Sequence, residues 1–342
     1  MKKKFLIIIS CVMLSVVVCA AISAAVLVSY ARLPMDSSDA GAVVVDIPPG
    51  SSFVRSSKIL ADAGLVKTRP LFFALAKAKG VTKKIRAGEY ELSRALSPSE
   101  LIDKLVRGEV MKHKAVIKED WTLQQIAAYL KELKLVDENT FLKLAYDKKF
   151  LASEDILADS AEGYLFPDTY FFERSMTSRK IMKTMIDRFR KKIPPDMLKK
   201  AQERGFNTHQ FVTFASIVGQ EAGNTAEKPF IAAVFHNRLK KKMPLQSDPT
   251  TVYDLEGFDG KVLRRHYKRE SPYNTYLIRG LPPGPIGNPG ADSFDAVIKP
   301  ADVDHLYFVA RGDGTHIFTS TLSEHNKAVA SVRNMSRDGL KD

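Results

Sequence analysis

Cysteine is nearly absent from this sequence of 342 residues. The two cysteines, Cys11 and Cys19, lie in an apolar stretch near the N-terminus. The rest of the chain therefore has no thiol for a disulfide bond or a cysteine-ligated metal site. The seven histidines form no His-x-x-x-His pair and no Glu-flanked pair. We therefore expect no metal centre and no cofactor.

Two motifs of common enzymes are also missing. The sequence contains no Gly-x-Ser-x-Gly elbow and no Gly-x-x-x-x-Gly-Lys phosphate loop. Their absence argues against an α/β-hydrolase and against a P-loop nucleotide enzyme.

Acidic residues are outnumbered by basic ones, 39 against 52, which gives a formal net charge of +13. This excess favours an anionic neighbour such as a membrane surface, an acidic polymer or nucleic acid. Because zinc-finger spacing and RNP-type aromatic motifs are missing, we expect no nucleic acid partner. The apolar fraction of 45% and the charged fraction of 27% are ordinary for a folded protein.

The longest apolar run directly follows Met1 and three lysines. Residues 5–28 carry no charge, and at about 1.5 Å per residue a helix of this length crosses a hydrocarbon core of about 30 Å. Flanking lysines favour the cytoplasmic side. We predict a cytoplasmic tail at 1–4 and a single-pass anchor at 5–29 in the plasma (inner) membrane, with the remainder periplasmic or extracytoplasmic. The alternative is a cleaved signal peptide, whose apolar region is usually shorter, about 7–15 residues.

Beyond this run the sequence predicts an α+β fold. Residues 30–42 form a short polar linker with proline and glycine. From about residue 113 the pattern is mostly helical, with a short β element late in the chain. There, two alternating strands flank Gly312-Asp313-Gly314, which predicts a hairpin. The predicted segments after the linker are a small module at 43–110, a larger domain at 111–336 and a C-terminal tail at 337–342.

The small module combines strands and capped helices. "AVVVDIPPG" predicts a strand and turn, and "SSFVRSSKILADAG" a helix capped by Ser51 or Ser52 and ended by Gly64. A similar strand–turn–helix pattern returns 70 residues later, although any short capped amphipathic helix gives such a likeness. Between the copies, "RAGEYEL" predicts a strand and "SPSELIDKLVRG" a helix capped by Ser97. The module resembles a LysM-like domain, a fold that binds glycan backbones.

One apolar helix in the larger domain ends in a carboxylate. In "NTHQFVTFASIVGQEAGN", Asn207 and Gln210 form a capping-box pattern, and Gly223-Asn224 predict the end. The stripe through Phe211, Phe214 and Val218 continues to Glu221. A carboxyl group among apolar neighbours at a helix C-terminus has a raised pKa, as a general acid requires. A structural salt bridge to one of the many basic residues is the alternative.

Polar and aromatic residues cluster in several loops. Aromatic rings cover sugar faces and amides bind hydroxyl groups, so these loops suit a sugar groove, although they equally suit ordinary turns. Proline and glycine crowd residues 280–293, which predicts an irregular loop. The candidate binding residues in these loops are Glu162, Asp168, Gln246, Ser247, Asp248, Tyr273, Asn274, Thr275 and Asn288.

Taken in order, seven stretches resemble those of one enzyme family. They are "EGYLFPDTY", "ASIVGQE", "HNRL", "LQSDPTTVY", "YNTY", "GLPPGPIGNPGADS" and "YFVARGDGTHIF". Together they resemble the YceG-like endolytic murein transglycosylase (MltG) family over residues 43–335. The resemblance implies a membrane-bound lyase that cuts nascent peptidoglycan strands between N-acetylmuramic acid and N-acetylglucosamine and so terminates their elongation. It also makes 111–336 a catalytic domain and Glu221 the catalytic residue.

The chain departs from the family pattern at one position in this helix. Family members commonly have Glu-x-Glu, and here Gly219 replaces the first glutamate. Because the second glutamate is the catalytic one, Glu221 keeps its role. As implied by the resemblance, Glu221 protonates the glycosidic oxygen and then accepts the proton of the sugar C6 hydroxyl, which closes a 1,6-anhydro ring.

The sequence is also compatible with two other functions. A hydrolytic muramidase would need a second carboxylate, for which Glu162, Asp168 and Asp248 are the candidates. A peptidoglycan-binding scaffold would explain the anchor, the module and the basic charge without catalysis. Expected partners are glycan strands, the plasma membrane and peptidoglycan synthases of the penicillin-binding class.

Overall fold

The computed structural model describes residues 2–338 and the side chains of residues 3–334. About half of the chain is helical and the rest includes short antiparallel strands, which confirms the mixed helix and strand composition. The chain divides into two compact units, Met1–His113 with Phe171–Met176, and Lys114–Tyr170 with Thr177–Asp342. Met1 of the predicted cytoplasmic tail and residues 339–342 of the predicted C-terminal tail lie outside the described residues.

Helix α1 spans Lys2–Arg32 and contains the long apolar run. Most of its apolar side chains are exposed, and only Leu27, Tyr30 and Ala31 near its end pack against the core of the first unit. Its length and apolar composition suit a membrane span, as they suit a signal sequence.

The rest of the first unit is a small α+β module. Strands β1 (Ala42–Ile47) and β2 (Gly88–Ser93) pair antiparallel and pack with helices α2 (Phe53–Asp62), α3 (Arg69–Ala78) and α4 (Pro98–Arg107). Ser52 and Ser97 cap α2 and α4 as predicted, because each side chain accepts a backbone N–H of the first turn. A LysM-like fold and glycan binding by this module stay predictions.

The second unit is mostly helical. The second copy of the repeat is present as a strand followed by a helix with Thr122 and Gln125 as capping box. The elements that lie wholly or partly in this unit are β3 (His113–Val116), α5 (Leu123–Glu132), α6 (Glu138–Ala145), α7 (Lys148–Ser153), β4 (Thr169–Phe172), α8 (Ser178–Lys192), α9 (Pro195–Glu203), α10 (Thr208–Glu221), α11 (Lys228–Lys240), α12 (Ala291–Ile298), β5 (Tyr307–Ala310), β6 (His316–Thr319) and α13 (Leu322–Asp338).

Helix α10 lies in the core of this unit. Every residue from Phe211 to Gly219 is buried, so the helix is covered on all sides rather than along one stripe. It packs mainly against α12 and also against α9 and α11. The predicted capping box of Asn207 and Gln210 is confirmed. Because burial ends at Gly219 and Glu221 is half-buried, Glu221 lies at the boundary between core and surface.

The predicted stop at Gly223-Asn224 lies directly after the end of α10, although Gly223 is not itself the cap residue. The helix ends at Glu221, and Ala222 after it is extended. Gly223 instead allows a close approach, because a Cβ atom there would lie 2.4 Å from the backbone oxygen of Gly314. Gly314 belongs to the turn of the β5–β6 hairpin, which is confirmed around residues 312–314.

The proline- and glycine-rich loop is irregular only up to Gly290, since α12 begins at Ala291. Most of residues 282–290 are buried. A buried loop must find partners for its backbone polar groups. The N–H of Ile286, for example, donates to the hydroxyl of Ser216 on α10.

Candidate active site

Glu221 is held by two donors from the loop after α11. Its Oε1 accepts a hydrogen bond from the Ser247 hydroxyl at 2.5 Å and one from the Asp248 N–H at 3.1 Å. Burial raises the pKa of Glu221 to about 7, and the Asp248 carboxylate adds to the rise. The hydrogen bonds and Arg238 oppose it. Because both donors reach Oε1, the proton of the acid form belongs on Oε2.

Arg238 on α11 holds this loop in place through hydrogen bonds to residues 244–246. Its buried guanidinium donates to the backbone oxygens of Pro244 and Leu245 and to the side-chain oxygen of Gln246. Burial lowers the pKa of Arg238. Gln246 is exposed and has a left-handed backbone with φ 52°, a conformation that costs energy and is common near functional sites.

Asp248 is a second carboxylate beside Glu221. Its two oxygens accept hydrogen bonds from the hydroxyls of Tyr276 at 2.5 Å and Tyr267 at 3.1 Å. Burial and the neighbouring Asp248 raise the pKa of Tyr276 well above its usual range. The two tyrosines therefore keep Asp248 fixed as a hydrogen-bond acceptor.

The segment around Asn274 and Thr275 supports the Glu221 loop. The Thr275 hydroxyl accepts the N–H of Ser247 at 2.9 Å, and its backbone oxygen accepts the N–H of Gln246. Asn274 donates to the backbone oxygens of Tyr267 and Arg269. Ser247, Asn274 and Thr275 have no exposed surface. Direct contact with a substrate stays a prediction for them, and their burial favours a positioning role.

Glu162 and Asn288 form a separate buried network. Glu162 accepts hydrogen bonds from the Leu123 N–H, the Tyr253 hydroxyl and the Asn288 amide. Asn288 also donates to the Trp121 backbone oxygen and accepts the N–H of Leu165. Burial raises the pKa of Glu162 to about 7, and its hydrogen bonds oppose the rise. The network joins four chain segments in the core, at residues 121–123, 162–165, 253 and 288.

The remaining predicted residues lie outside the contacts of Glu221. Asp168 is paired with Arg188 of α8. Tyr273 is half-buried and its ring packs against Tyr253, with centroids 4.8 Å apart. Of the predicted candidates, the structure thus places only Ser247 and Asp248 in direct contact with Glu221.

A cleft of about 850 Å³ is lined by the chain neighbours of Glu221 and Asp248. Glu221 itself does not line it, but its chain neighbour Gln220 does, and so does Pro249 next to Asp248. Its other lining residues carry carboxyl, amide and aromatic groups and include Glu119, Asp120, Trp121, Gln124, Gln125, Tyr253 and Phe258.

Sequence reasoning missed several residues of the cleft. Trp121 is the chain's single tryptophan, a signal that was available in the sequence. Asp120 and Gln220 gave no such signal, because their proximity depends on a contact across 100 residues. Among residues 2–338, no group of three histidine, cysteine, aspartate or glutamate side chains is placed to hold a metal ion.

Comparison with known families decides where this chain belongs. The model of the YceG-like family matches residues 45–331. The chain belongs to the YceG-like family. A relative from Bacillus subtilis, named endolytic murein transglycosylase, is 35% identical over 311 residues, which cover 86% of each chain. A relative of the same name from Streptococcus pneumoniae is 31% identical over 331 residues, covering 87% of this chain and 60% of its own length.

A solved structure supports the same family fold. The crystal structure of a YceG-like protein from Listeria monocytogenes is 34% identical to this chain and matches it with a TM-score of 0.60. The match covers 84% of this chain and 98% of the Listeria chain.

Proposed function

We propose that this chain is an endolytic peptidoglycan lytic transglycosylase with Glu221 as its catalytic acid and base. It cuts the bond between N-acetylmuramic acid and N-acetylglucosamine without consuming water and leaves a 1,6-anhydro end. The observation that carries the proposal is the setting of Glu221, a carboxyl group with a pKa of about 7 at the end of a buried helix and beside a large cleft. The names of its relatives support the same activity.

The geometry suits one carboxyl group that acts twice. Ser247 and the Asp248 N–H hold Oε1, so Oε2 delivers its proton to the departing glycosidic oxygen. The resulting carboxylate then accepts the proton of the C6 hydroxyl as that oxygen bonds to C1. The two proton transfers balance, and Glu221 returns to its acid form.

The cleft suits a glycan strand. Aromatic rings of Trp121, Tyr253 and Phe258 offer faces for sugar rings, and the amide of Gln124 offers a partner for hydroxyl groups. The net charge of +13 favours a polymer with acidic stems.

The alternative reaction, hydrolysis, needs a second carboxylate near Glu221, and few of the candidates are free for that role. Glu162 and Asp168 are bonded elsewhere, so Asp248 is the candidate left near Glu221. Asp248 accepts from two tyrosine hydroxyls, which occupy both of its oxygens. This arrangement favours an electrostatic role for Asp248 over activation of water.

The product distinguishes the two reactions. We expect mass spectrometry of strands cut by the purified chain to show anhydro-muramic ends, which are lighter than reducing ends by one water. Reducing ends would contradict the lyase mechanism and would make Asp248 the base to test. Unchanged strand lengths would favour the binding scaffold.

We also propose that α1 is a retained membrane anchor with the second unit outside the cytoplasm. Its length and composition and the three lysines before the apolar run support this placement. Peptidoglycan synthases of the penicillin-binding class are the proposed partners, since they make strands at the membrane surface. Co-purification with such a synthase in mild detergent tests the partnership.

Fusion reporters test the orientation. Alkaline phosphatase folds into its active form only outside the cytoplasm, so a fusion after Asp342 is expected to be active in cells. A fluorescent cytoplasmic reporter at the same point should be dark. A silent phosphatase fusion together with a bright reporter would place the C-terminus inside and overturn the orientation.

A further inference from the structure

The glycine in the last turn of α10 has an acidic neighbour. A Cβ atom at Gly219 would lie only 1.9 Å from Oδ1 of Asp120 and 2.7 Å from its Cγ. The carboxyl group of Asp120 therefore occupies the space in which a side chain at 219 would begin. Gly219 lies two residues before Glu221, so this carboxyl group packs against the last turn of the helix that carries Glu221.

The backbone around Asp120 is fixed. Its N–H donates to the backbone oxygen of Asn288 at 2.8 Å, and its own oxygen accepts the Gln220 side-chain amide at 2.7 Å. A Cβ atom at Gly287 would lie 2.5 Å from that same oxygen. These contacts with Asn288, Gln220 and Gly287 hold the backbone of Asp120 against α10 and so direct its carboxyl group toward Gly219.

Holding Asp120 there costs stability in two ways. Its φ is 63°, in the left-handed region that disfavours side chains. Its Oδ1 is buried and has no hydrogen-bond partner among the described residues. Strained residues cluster at functional sites, and a buried oxygen without a partner calls for a reason of that kind.

Asp120 lines the cleft together with Gln220 and Trp121. The charged groups that face it are Lys228 of α11 and Glu119 beside it in the chain, and these two pair with each other at 2.9 Å. Burial raises the pKa of Asp120 to about 7, Lys228 opposes the rise and Glu119 adds to it. Near neutral pH the group is therefore able to accept or donate a hydrogen bond.

We propose that Asp120 is a substrate-contacting residue whose carboxyl group hydrogen-bonds a hydroxyl or amide of the glycan strand next to Glu221. In this chain it supplies, from the loop before α5, the carboxyl group that Gly219 cannot supply from α10. The proposal rests on the proposed function for the identity of the ligand, and its test includes binding as well as cutting.

Two variants of the full chain test the proposal by removing the carboxyl group from position 120 and then restoring one at position 219. Asp120→Gly removes the carboxyl group, and Asp120→Gly with Gly219→Glu returns one from the helix into space that is then free. A hydrogen bond to a charged group is worth roughly 10- to 100-fold in affinity. We expect Asp120→Gly to lower kcat/KM by that factor, and the double variant to recover at least a third of the wild-type value.

Two further variants distinguish the loss of a substrate contact from a change in the local backbone. Asp155→Gly is the matched control, since Asp155 is exposed and also has a left-handed backbone, with φ 49°. We expect it to leave kcat/KM unchanged. Asp120→Asn keeps the shape and loses the charge, and we expect an intermediate value. Because strain and an unsatisfied oxygen are removed, the melting temperature of Asp120→Gly should equal or exceed that of the wild type.

Binding gives a second readout. Trp121 is the single tryptophan, so its fluorescence during titration with a purified peptidoglycan tetrasaccharide reports occupancy of the cleft. We expect a roughly 10- to 100-fold higher Kd for Asp120→Gly. A wild-type Kd and kcat/KM in Asp120→Gly or Asp120→Asn would overturn the proposal, as would a folded double variant no better than Asp120→Gly. If the wild type binds the tetrasaccharide without forming anhydro ends, the proposed function fails. The ratio of the Kd of Asp120→Gly to that of the wild type then decides by itself whether Asp120 contacts the ligand.

Discussion

Replacing Glu221 by Gln is expected to lower the rate of glycan cutting by about 10²- to 10⁴-fold, the usual contribution of a general acid and base. Gln keeps the shape and can still accept the hydrogen bonds of Ser247 and the Asp248 N–H at its oxygen. It has no proton to transfer, so the loss should appear in kcat rather than in the affinity for strands. Release of anhydro-muramic ends from purified peptidoglycan measures the effect.

Glu203→Gln is the matched control for this change. Glu203 is the last residue of α9 as Glu221 is of α10, but it is exposed. We expect wild-type cutting from the control. Wild-type cutting from Glu221→Gln as well would remove Glu221 from the mechanism.

The same substitution has an expected signature in stability. The pKa of Glu221 rises from 4.5 to about 7 on folding, so its ionisation is penalised in the folded state. Below the unfolded pKa both states are protonated and the penalty is absent, and it develops as pH rises from 4.5 through about 7. The free energy of unfolding of Glu221→Gln should therefore match the wild type near pH 4 and equal or exceed it near pH 8.

Replacing Asn288 by Ala is expected to have the largest effect on stability. The side chain is fully buried and bonds Glu162, the Trp121 oxygen and the Leu165 N–H. Its loss removes three hydrogen bonds and leaves the buried Leu165 N–H without its partner, whereas Glu162 and the Trp121 oxygen keep other donors. We expect a cost of about 3–5 kcal/mol of the free energy of unfolding. Urea unfolding of the full chain in detergent, followed through Trp121 fluorescence, measures the change.

An exposed asparagine serves as the control for Asn288. Asn139 lies on the surface of α6, and Asn139→Ala should change the free energy of unfolding by less than about 0.5 kcal/mol. Equal effects of the two substitutions would show that the Asn288 bonds contribute little. Asn288→Asp should be more harmful at pH 8 than at pH 5, because two carboxylates would then face each other.

Much of the local structure could be predicted from the sequence. Ser52, Ser97 and Asn207 each cap a helix through a bond to a residue three positions later. Such bonds depend on neighbours in the chain, so spacing alone reveals them. The buried setting of Glu221 also followed from the apolar residues before it in the helix.

Contacts between distant segments could not be predicted in this way. The bond between Glu162 and Asn288 joins residues 126 positions apart, and periodicity contains no information on such a pairing. Substrate binding by these two residues stays a prediction from their residue types, and their hydrogen bonds in the core are what the sequence did not indicate. Asp120 shows the reverse, since nothing in "KEDWT" indicates that its carboxyl group lies against α10.

The contact between Gly219 and Asp120 also constrains how this site can evolve. Two single steps lead to the present pair from a hypothetical chain with glutamate at position 219 and glycine at position 120. In the first possible intermediate Asp120 is gained before the glutamate is lost, and the two side chains compete for the same space. In the second, both positions are glycine, and the cleft lacks this carboxyl group. The second intermediate contains no such clash, so along this route we expect the glutamate to be replaced before Asp120 is gained. The variants Gly219→Glu and Asp120→Gly are these two intermediates, and their relative stabilities test the order of the steps.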